Sequence, residues 1–343
     1  MISTGRASAL SARSGLKHWQ HNGAMRRFSS SSGAWMAQQQ QTAAAADISR
    51  VTIIGGGQMG SGIAQVAATK KYNVTLVDVN QEALDRGKAY MAKSLARVAR
   101  KKFGEEAQQQ QREFVDDVLG RVTLSTKPSE AVASTDLVVE AIVENIAVKQ
   151  KVFGELAKAA PEHAILASNT SSLPITQIAE AVDSARRRSF IGLHFFNPVP
   201  QMKLVEVVRT DASDEQTVAR AVAFVKSIGK EPAVCKDTPG FIVNRLLLPY
   251  MMESIRLLER GVASARDIDT AMKLGAGYPM GPFELCDYVG LDTIKFIVDG
   301  WYKEGAGLQG DKTFAPSKTL DDLVSSGRLG VKTGKGFYEY PKK

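Results

Sequence analysis

The residues with the clearest chemical meaning lie in one glycine-rich segment of this 343-residue chain. Gly55, Gly57 and Gly60 follow an apolar run at 51–54, and Asp78 ends the next apolar run. With this spacing the first glycine permits a tight turn, the second lets the backbone approach a pyrophosphate, and the third allows a helix to pack closely. Because the N-terminus of such a helix attracts anions, the segment predicts a dinucleotide site.

Asp78 indicates which dinucleotide the segment favours. It lies eighteen residues after Gly60, where a carboxylate would accept hydrogen bonds from ribose hydroxyls and would repel a 2′-phosphate. We therefore expect NAD rather than NADP, with Gln58 and Met59 of the turn also at the cofactor. From the residues alone two simpler interpretations stay open: glycines that only turn the chain, and a solvated acid at a strand end.

Oxidation of a hydroxyl by NAD also needs a base that takes the hydroxyl proton, and histidine is the most common choice. His18 and His21 lie near the N-terminus, and His163 follows a proline in a predicted surface turn. His194 lies toward the end of the apolar run 190–196, and ligands of open α/β sheets gather beyond the carboxyl ends of strands. His194 is therefore the candidate base.

Glu206 is the candidate partner of His194. In the alternating run 202–209 it falls on the face that otherwise carries apolar side chains. A buried acid needs a partner, and a carboxylate can fix the tautomer of a histidine and stabilise its imidazolium. The two residues are predicted to form a general-base pair, although a core histidine and an unrelated acid remain the alternative.

The N-terminal segment, residues 1–46, contains five Lys or Arg, no Asp or Glu and a run of four serines. This composition is typical of a mitochondrial transit peptide, which predicts that the segment is cleaved and that the mature protein resides in the mitochondrial matrix. Without those five cations the formal charge falls from +8 to +3, so the basic charge gives no reason to expect nucleic-acid binding.

Several other classes of protein are disfavoured. Cys235 and Cys286 lack the spacing of metal ligands and are interpreted as buried thiols, so neither a metal site nor a disulfide framework is expected. No run of eighteen uncharged apolar residues exists, so no membrane span is predicted. An apolar content of 44% suits two globular domains with cores of their own.

Seven short apolar runs, mostly separated by helical segments, predict an α/β fold with a Rossmann-like, doubly wound sheet. Two helical stretches, 81–102 and 105–119, fill the long gap between the second and third runs and predict an inserted helical hairpin. The predicted strands are 51–54, 74–78, 122–124, 137–142, 164–167, 190–196 and 204–208.

The pattern changes to helices alone after residue 237. We therefore predict an NAD-binding domain at 47–237 and an all-α C-terminal domain at 238–343 that contributes to substrate binding and dimerisation. The apolar clusters 246–248 and 251–252 exceed what one small domain usually hides, which indicates a homodimer.

Several segments together closely resemble the L-3-hydroxyacyl-CoA dehydrogenase family of mitochondrial fatty-acid β-oxidation. The resemblance covers nearly everything from 48 to 340. It rests on the glycine turn and on four further segments, 139–145 (VEAIVEN), 168–172 (SNTSS), 194–198 (HFFNP) and 237–245 (DTPGFIVNR).

The resemblance implies NAD-dependent oxidation of (S)-3-hydroxyacyl-CoA, with His194 as the catalytic base and Glu206 as its orienting partner. It also implies that Ser171, Asn197 and Asn244 surround the nicotinamide and the reacting oxygen. For Ser171 and Asn244, helix capping is the alternative.

The resemblance further places Glu144 and Lys149 at the cofactor, and Ser94 and Lys101 of the hairpin at the coenzyme A part of the substrate. Ser94 and Lys101 are about two helical turns apart, so they share a helical face on which a hydroxyl and a cation could meet a phosphate. Ordinary exposed helix residues remain the alternative for this pair.

Two other functions stay open beside this one. A 3-hydroxybutyryl-CoA dehydrogenase with short-chain preference would share the site but often uses NADP, which Asp78 and the targeting segment disfavour. A non-enzymatic, crystallin-type relative would keep only the fold, which the presence of both His194 and Glu206 disfavours.

Overall fold

The computed structural model describes residues 48–341, so the predicted transit segment lies outside the described residues. Within them eight strands form one sheet in the order β3-β2-β1-β4-β5-β6-β7-β8. Neighbouring strands are parallel except β6 and β7, which are antiparallel. The strands are β1 Arg50–Ile54, β2 Asn73–Val77, β3 Val122–Ser125, β4 Leu137–Glu140, β5 Ile165–Ser168, β6 Phe190–Phe195, β7 Leu204–Arg209 and β8 Glu231–Lys236.

Helices cover both faces of this sheet, because its central strands are apolar on both sides. The predicted doubly wound, mostly parallel fold is thereby confirmed. The helices of this part are α1 Gln58–Thr69, α2 Gln81–Phe103, α3 Gln108–Gly120, α4 Pro128–Val132, α5 Ile146–Ala159, α6 Ile175–Ala179, α7 Ser184–Arg187 and α8 Glu215–Ser227.

Helices α2 and α3 form the predicted hairpin between β2 and β3. The Asn80 side chain caps α2 by accepting a hydrogen bond from the Ala83 N–H at 2.9 Å. Gly104, at φ 84°, ends the helix in a backbone conformation that favours glycine. The buried residues of α2 pack against the sheet, which leaves most of its basic side chains in solvent.

Strand β8 is missing from the predicted strands, which end at 208. The segment Glu231–Lys236 pairs in parallel with β7 at the edge of the sheet. Pro232 and the charged residues at both ends hide the strand signal, because proline is excluded from central strands but tolerated at an edge. The sheet therefore extends almost to the predicted domain boundary at 237.

The C-terminal part is helical, as predicted. Leu248, Met251 and Met252 are buried in its own core, whereas Leu246 is exposed. Among residues 48–341 no helix has both the length and the apolar character needed to cross a membrane. The helices are α9 Val243–Glu259, α10 Ala265–Gly275, α11 Pro282–Val289, α12 Leu291–Glu304 and α13 Lys318–Ser325, with 3-10 turns at Lys312–Phe314 and Val331–Thr333.

Candidate active site

His194 and Glu206 face each other across the antiparallel pair β6 and β7. The register sets them directly opposite each other, so their side chains lie on the same face of the sheet. His194 Nδ1 lies 2.7 Å from Glu206 Oε2, and both residues are buried. The structure thus brings the two predicted residues into a hydrogen-bonded pair.

Glu206 uses its second carboxylate oxygen to hold the start of α9. Its Oε1 accepts hydrogen bonds from the N–H groups of Ile242 at 3.0 Å and Val243 at 2.8 Å. Burial alone would raise the pKa of Glu206, but the hydrogen bonds from His194 and from these two N–H groups outweigh it and lower that pKa. The carboxylate therefore stays ionised and can stabilise an imidazolium at His194.

The His194 ring also packs near two aromatic side chains. Its centroid lies 4.4 Å from that of Phe196 and 5.7 Å from that of Phe241. Within residues 48–341 no hydrogen bond engages His194 Nε2. This nitrogen is therefore available to take a proton from a bound hydroxyl. No group of three His, Cys, Asp or Glu that could hold a metal ion occurs in the same range.

The glycine turn is shaped as the motif predicts. Gly55 adopts φ 109°, and a Cβ on Gly60 would lie only 1.8 Å from the Gly55 carbonyl oxygen. A Cβ on Gly57 would meet no atom within 4 Å. Helix α1 packs tightly onto the turn at Gly60, while the space in front of Gly57 is open, which fits the approach of a pyrophosphate to the N-terminus of α1.

Asp78 lies directly beside this turn. Its Oδ2 accepts a hydrogen bond from the Gly56 N–H at 2.6 Å, and its Oδ1 accepts one from the Val79 N–H at 2.7 Å. Carboxylate oxygens can accept further hydrogen bonds, so these contacts leave room for ribose hydroxyls. Asp78 therefore holds the glycine turn and keeps acceptor capacity for further donors; its contact with the ribose of NAD stays a prediction.

A cleft of about 780 Å³ begins at the turn and has mostly apolar walls. Exposed valines at its rim, Val79 and Val143, are apolar side chains that a flat aromatic ring could cover. Met59 and Gln58 also line it. The open turn, the carboxylate and this cleft together fit a dinucleotide.

Gln58 links the glycine turn to the strand that carries His194. Its Nε2 donates a hydrogen bond to Asn197 Oδ1 at 2.9 Å, and Asn197 follows directly after the end of β6. The glycine turn after β1 therefore lies at the same end of the sheet as the predicted base, where the parallel strands have their carboxyl ends.

Glu144 and Lys149 belong to a polar network at the same carboxyl end of the sheet. The buried Lys149 Nζ lies 2.6 Å from Glu140 Oε1 and 3.4 Å from Glu144 Oε2. Glu144 Oε1 accepts hydrogen bonds from the Thr170 hydroxyl at 2.5 Å and from the Ser171 N–H at 3.0 Å. Burial would raise the pKa of Glu144, but the Thr170 hydrogen bond, the Lys149 charge and the backbone N–H groups outweigh it and lower that pKa.

Ser171 and Asn244 are brought together by a direct contact. Asn244 Nδ2 donates a hydrogen bond to the Ser171 carbonyl oxygen at 3.1 Å. Asn244 lies in the first turn of α9, next to the Val243 N–H that binds Glu206. Six predicted residues therefore belong to two hydrogen-bonded groups that meet at α9. Glu144, Lys149, Ser171 and Asn244 form one group, and His194 and Glu206 form the other.

Ser94 and Lys101 lie apart from this network. Ser94 is almost buried, with 8% of its surface exposed, and faces the core side of α2, whereas Lys101 is exposed at the end of the same helix. No hydrogen bond joins either side chain to the residues around His194 among those the structure describes. Their predicted contact with coenzyme A stays a prediction.

Three residues with clear structural roles at the site are absent from the sequence prediction. Glu140 binds Lys149, and Asn169 accepts a hydrogen bond from the Phe195 N–H at 2.8 Å. The buried Lys230 donates to the carbonyl oxygens of Val199 and Met202, both at 2.6 Å, and fixes the loop after Asn197. Glu140 ends β4 and Asn169 directly follows β5, and both lie within segments that carry the resemblance. A polar residue at the end of an apolar strand was the signal that could have identified them.

Comparison with known families identifies both parts of the chain. Residues 50–238 match the 3-hydroxyacyl-CoA dehydrogenase NAD binding domain, and residues 240–340 match the 3-hydroxyacyl-CoA dehydrogenase C-terminal domain. The chain belongs to the 3-hydroxyacyl-CoA dehydrogenase family. The resemblance predicted from sequence motifs is thereby confirmed, and NAD is the cofactor of the first domain.

Individual relatives agree with this family. Human mitochondrial hydroxyacyl-coenzyme A dehydrogenase is 57% identical over 293 residues, which is 85% of this chain and 91% of the human protein. A probable 3-hydroxybutyryl-CoA dehydrogenase of Bacillus subtilis is 44% identical, covering 87% of this chain and 99% of that protein. The crystal structure of (S)-3-hydroxybutyryl-CoA dehydrogenase PaaH1 from Ralstonia eutropha matches 86% of this chain and 100% of its own, with a TM-score of 0.79 and 39% identity.

Proposed function

We propose that this protein oxidises (S)-3-hydroxyacyl-CoA to 3-oxoacyl-CoA with NAD, as part of fatty-acid β-oxidation. The observation that carries the proposal is the buried His194–Glu206 pair. It lies at the same carboxyl end of the sheet as a glycine turn shaped for a dinucleotide. The 57% identity to a human mitochondrial hydroxyacyl-coenzyme A dehydrogenase supports the same reaction.

His194 and Glu206 have different roles in the proposed reaction. His194 Nε2 takes the hydroxyl proton of the substrate, and Glu206 keeps the proton of Nδ1 in place and stabilises the imidazolium. When bound, NAD accepts the hydride from C3 of the substrate. In the reverse direction the imidazolium returns its proton to the oxygen and helps to polarise the ketone.

The remaining site residues are assigned by their contacts with this centre. Ser171, Asn197 and Asn244 are proposed to orient the reacting oxygen and the nicotinamide, because they connect the glycine turn, the 170–172 loop and α9. Glu144 and Lys149 are proposed to hold that loop beside the cofactor.

Substrate recognition is proposed to involve the hairpin. Ser94 and Lys101 would contact the coenzyme A part of the substrate, since Lys101 offers a cation in solvent about two helical turns after Ser94. The domain boundary predicted near 237 coincides with the gap between the two matched family domains at 238 and 240, which supports separate cofactor and substrate parts.

Location and assembly are part of the same proposal. The relatives named mitochondrial and the composition of 1–46 support import into the mitochondrial matrix and removal of that segment. Exposed apolar side chains on the helical C-terminal part, such as Leu246, Leu274 and Phe296, support a homodimer.

Oxidation of NADH with acetoacetyl-CoA, followed by absorbance, tests the reaction. We expect turnover by the wild-type protein and a loss of about 10²- to 10⁴-fold in kcat for His194→Ala, because general acid–base catalysis is removed. His163→Ala is the matched control, since that histidine is half-exposed and hydrogen-bonded to Asp136. Equal turnover in His194→Ala would overturn the role, and no turnover by the wild-type protein would overturn the function.

A further inference from the structure

Glu82 and Arg86 form an ion pair on the first turns of α2, close to the glycine turn. Arg86 Nη1 lies 2.5 Å from Glu82 Oε1. Arg86 also lines a second cleft, of about 600 Å³, together with Gly56, Gly57 and Asp78. Arg86 therefore shares a cleft with Asp78, the residue that is proposed to bind the ribose of NAD.

We propose that Glu82 is a second residue that determines cofactor specificity, because it neutralises an arginine that would otherwise attract NADPH. The proposal rests on NAD binding at Asp78. A 2′-phosphate on the same ribose would lie beside Asp78, at the cleft that Arg86 also lines. An arginine near this position is the usual way in which such a fold accepts a 2′-phosphate, since its planar fork of N–H groups matches phosphate oxygens.

The charges around the ribose position explain why Arg86 does not already favour NADPH. Asp78 repels a phosphate directly, and Glu82 cancels the charge of Arg86 at short range. Both members of the pair are largely exposed, at 82% for Glu82 and 65% for Arg86. Such a pair contributes little to folding, so removing Glu82 should free the guanidinium without disturbing the structure.

Direct binding of NADH and NADPH tests the proposal without relying on turnover. The dissociation constant of each nucleotide is measured by its fluorescence in the absence of acyl-CoA. For Glu82→Gln we expect affinity for NADPH relative to NADH to rise about 3- to 10-fold at low ionic strength, and the rise to shrink as salt screens the charge. The affinity for NADH itself should change little.

Asp85→Asn is the matched control. Asp85 lies on the same exposed turns of α2, and its replacement by asparagine removes the same charge. Asp85 accepts its hydrogen bond from Gln81 Nε2 at 2.9 Å, however, whereas Glu82 is the acid that pairs with Arg86. A shift in Glu82→Gln no larger than that in Asp85→Asn would overturn the proposal, because the effect would then reflect net charge alone.

A second set of variants assigns the effect to Arg86. The double variant Asp78→Ser/Glu82→Gln should prefer NADPH, and adding Arg86→Gln should remove that preference. If NADPH affinity stays unchanged when Arg86 is removed from the double variant, the proposal is wrong even though NADH binds the wild-type protein. A wild-type protein that binds no NADH would instead overturn the cofactor site on which the proposal rests.

Discussion

At the scale of single residues, the site depends on one carboxylate that serves two neighbours at once. Glu206 accepts from His194 with one oxygen and from the backbone of Ile242 and Val243 with the other. Because Glu206 is buried, water competes little for these three hydrogen bonds, and each of them is stronger than it would be in solvent. The position of the base and the position of α9 are therefore set by the same side chain.

Glu206→Gln tests this double role. A glutamine has only one oxygen, so its amide must face either His194 Nδ1, which forces the wrong tautomer, or the two N–H donors of α9, which repels them. We expect kcat to fall by about 10²- to 10⁴-fold while the dissociation constant of NADH changes little. Stopped-flow turnover and NADH fluorescence measure the two quantities.

Glu215→Gln is the control for that variant. Glu215 is a well-exposed acid that pairs with Arg209 at the end of the same strand β7, so its removal should leave kcat unchanged. A Glu206→Gln protein with the kcat of this control would contradict the role of Glu206.

Some site residues could be predicted because they break a local pattern. His194 stands at the carboxyl end of an apolar strand, and Glu206 is an acid on an apolar face. The contact of Glu206 with α9 could not be predicted, because it depends on Gly240 and Phe241, which turn the chain with φ values of 79° and 52°. The pairing of Lys149 with Glu140 was hidden for a similar reason, since it joins a helix to a strand end through packing.

At the scale of elements, the glycine turn assigns different roles to its members. A Cβ on Gly60 would collide with the Gly55 carbonyl oxygen, whereas a Cβ on Gly57 would enter open space. Gly60→Ala should therefore push α1 away from the turn and destabilise the protein by about 1–3 kcal/mol. Gly57→Ala should fold normally and bind NADH more weakly, because the added methyl group occupies the space that a pyrophosphate needs.

Thermal unfolding and NADH fluorescence separate the two glycine variants. The expected result is a lower melting temperature for Gly60→Ala alone, and a higher NADH dissociation constant with an unchanged melting temperature for Gly57→Ala. If Gly57→Ala bound NADH as tightly as the wild-type protein, the pyrophosphate would not lie against this turn.

The elements themselves differ in how well the sequence predicts them. The strands β1 to β7 could be predicted because each contains a short apolar run. The hairpin α2–α3 could be predicted because its apolar residues recur with helical periodicity, which indicates one buried face. Strand β8 could not, because Pro232 and the charged residues at its two ends interrupt the apolar run, and every residue of the strand is exposed or half-buried. Its place is set by pairing with β7, which local sequence does not encode.

At the scale of the whole molecule, buried carboxylates predict a loss of stability in acid. Burial would raise the pKa of Asp136, but hydrogen bonds from Arg50, Ser49 and His163 outweigh it and lower that pKa well below its ordinary value. The pKa values of Glu144 and Glu206 are lowered in the same way. The unfolded chain therefore binds more protons than the folded protein below about pH 4.5.

The free energy of unfolding should accordingly be nearly constant from pH 7 to about pH 5 and fall as the pH drops further. Asp136→Asn should lower stability at pH 7 and weaken this pH dependence, because the group that must be protonated is gone. Urea unfolding at several pH values measures both effects. Asp211→Asn, at an exposed acid, is the control, and an equal pH dependence in Asp136→Asn and the wild-type protein would contradict the prediction.

The proposed homodimer follows from apolar surface that the helical part does not cover itself. Leu246, Leu274 and Phe296 are 69%, 84% and 77% exposed, although they lie on three different helices of that part. We propose that these side chains belong to one apolar interface, since contiguous exposed apolar surface usually marks one, and a charge placed there must be desolvated on association. Light scattering at micromolar concentration should therefore give twice the chain mass for the wild-type protein and a lower mass for Phe296→Glu and Leu246→Glu. Val98→Glu, on the hairpin, should leave the mass unchanged, and a monomeric wild-type protein would show that these side chains serve another contact.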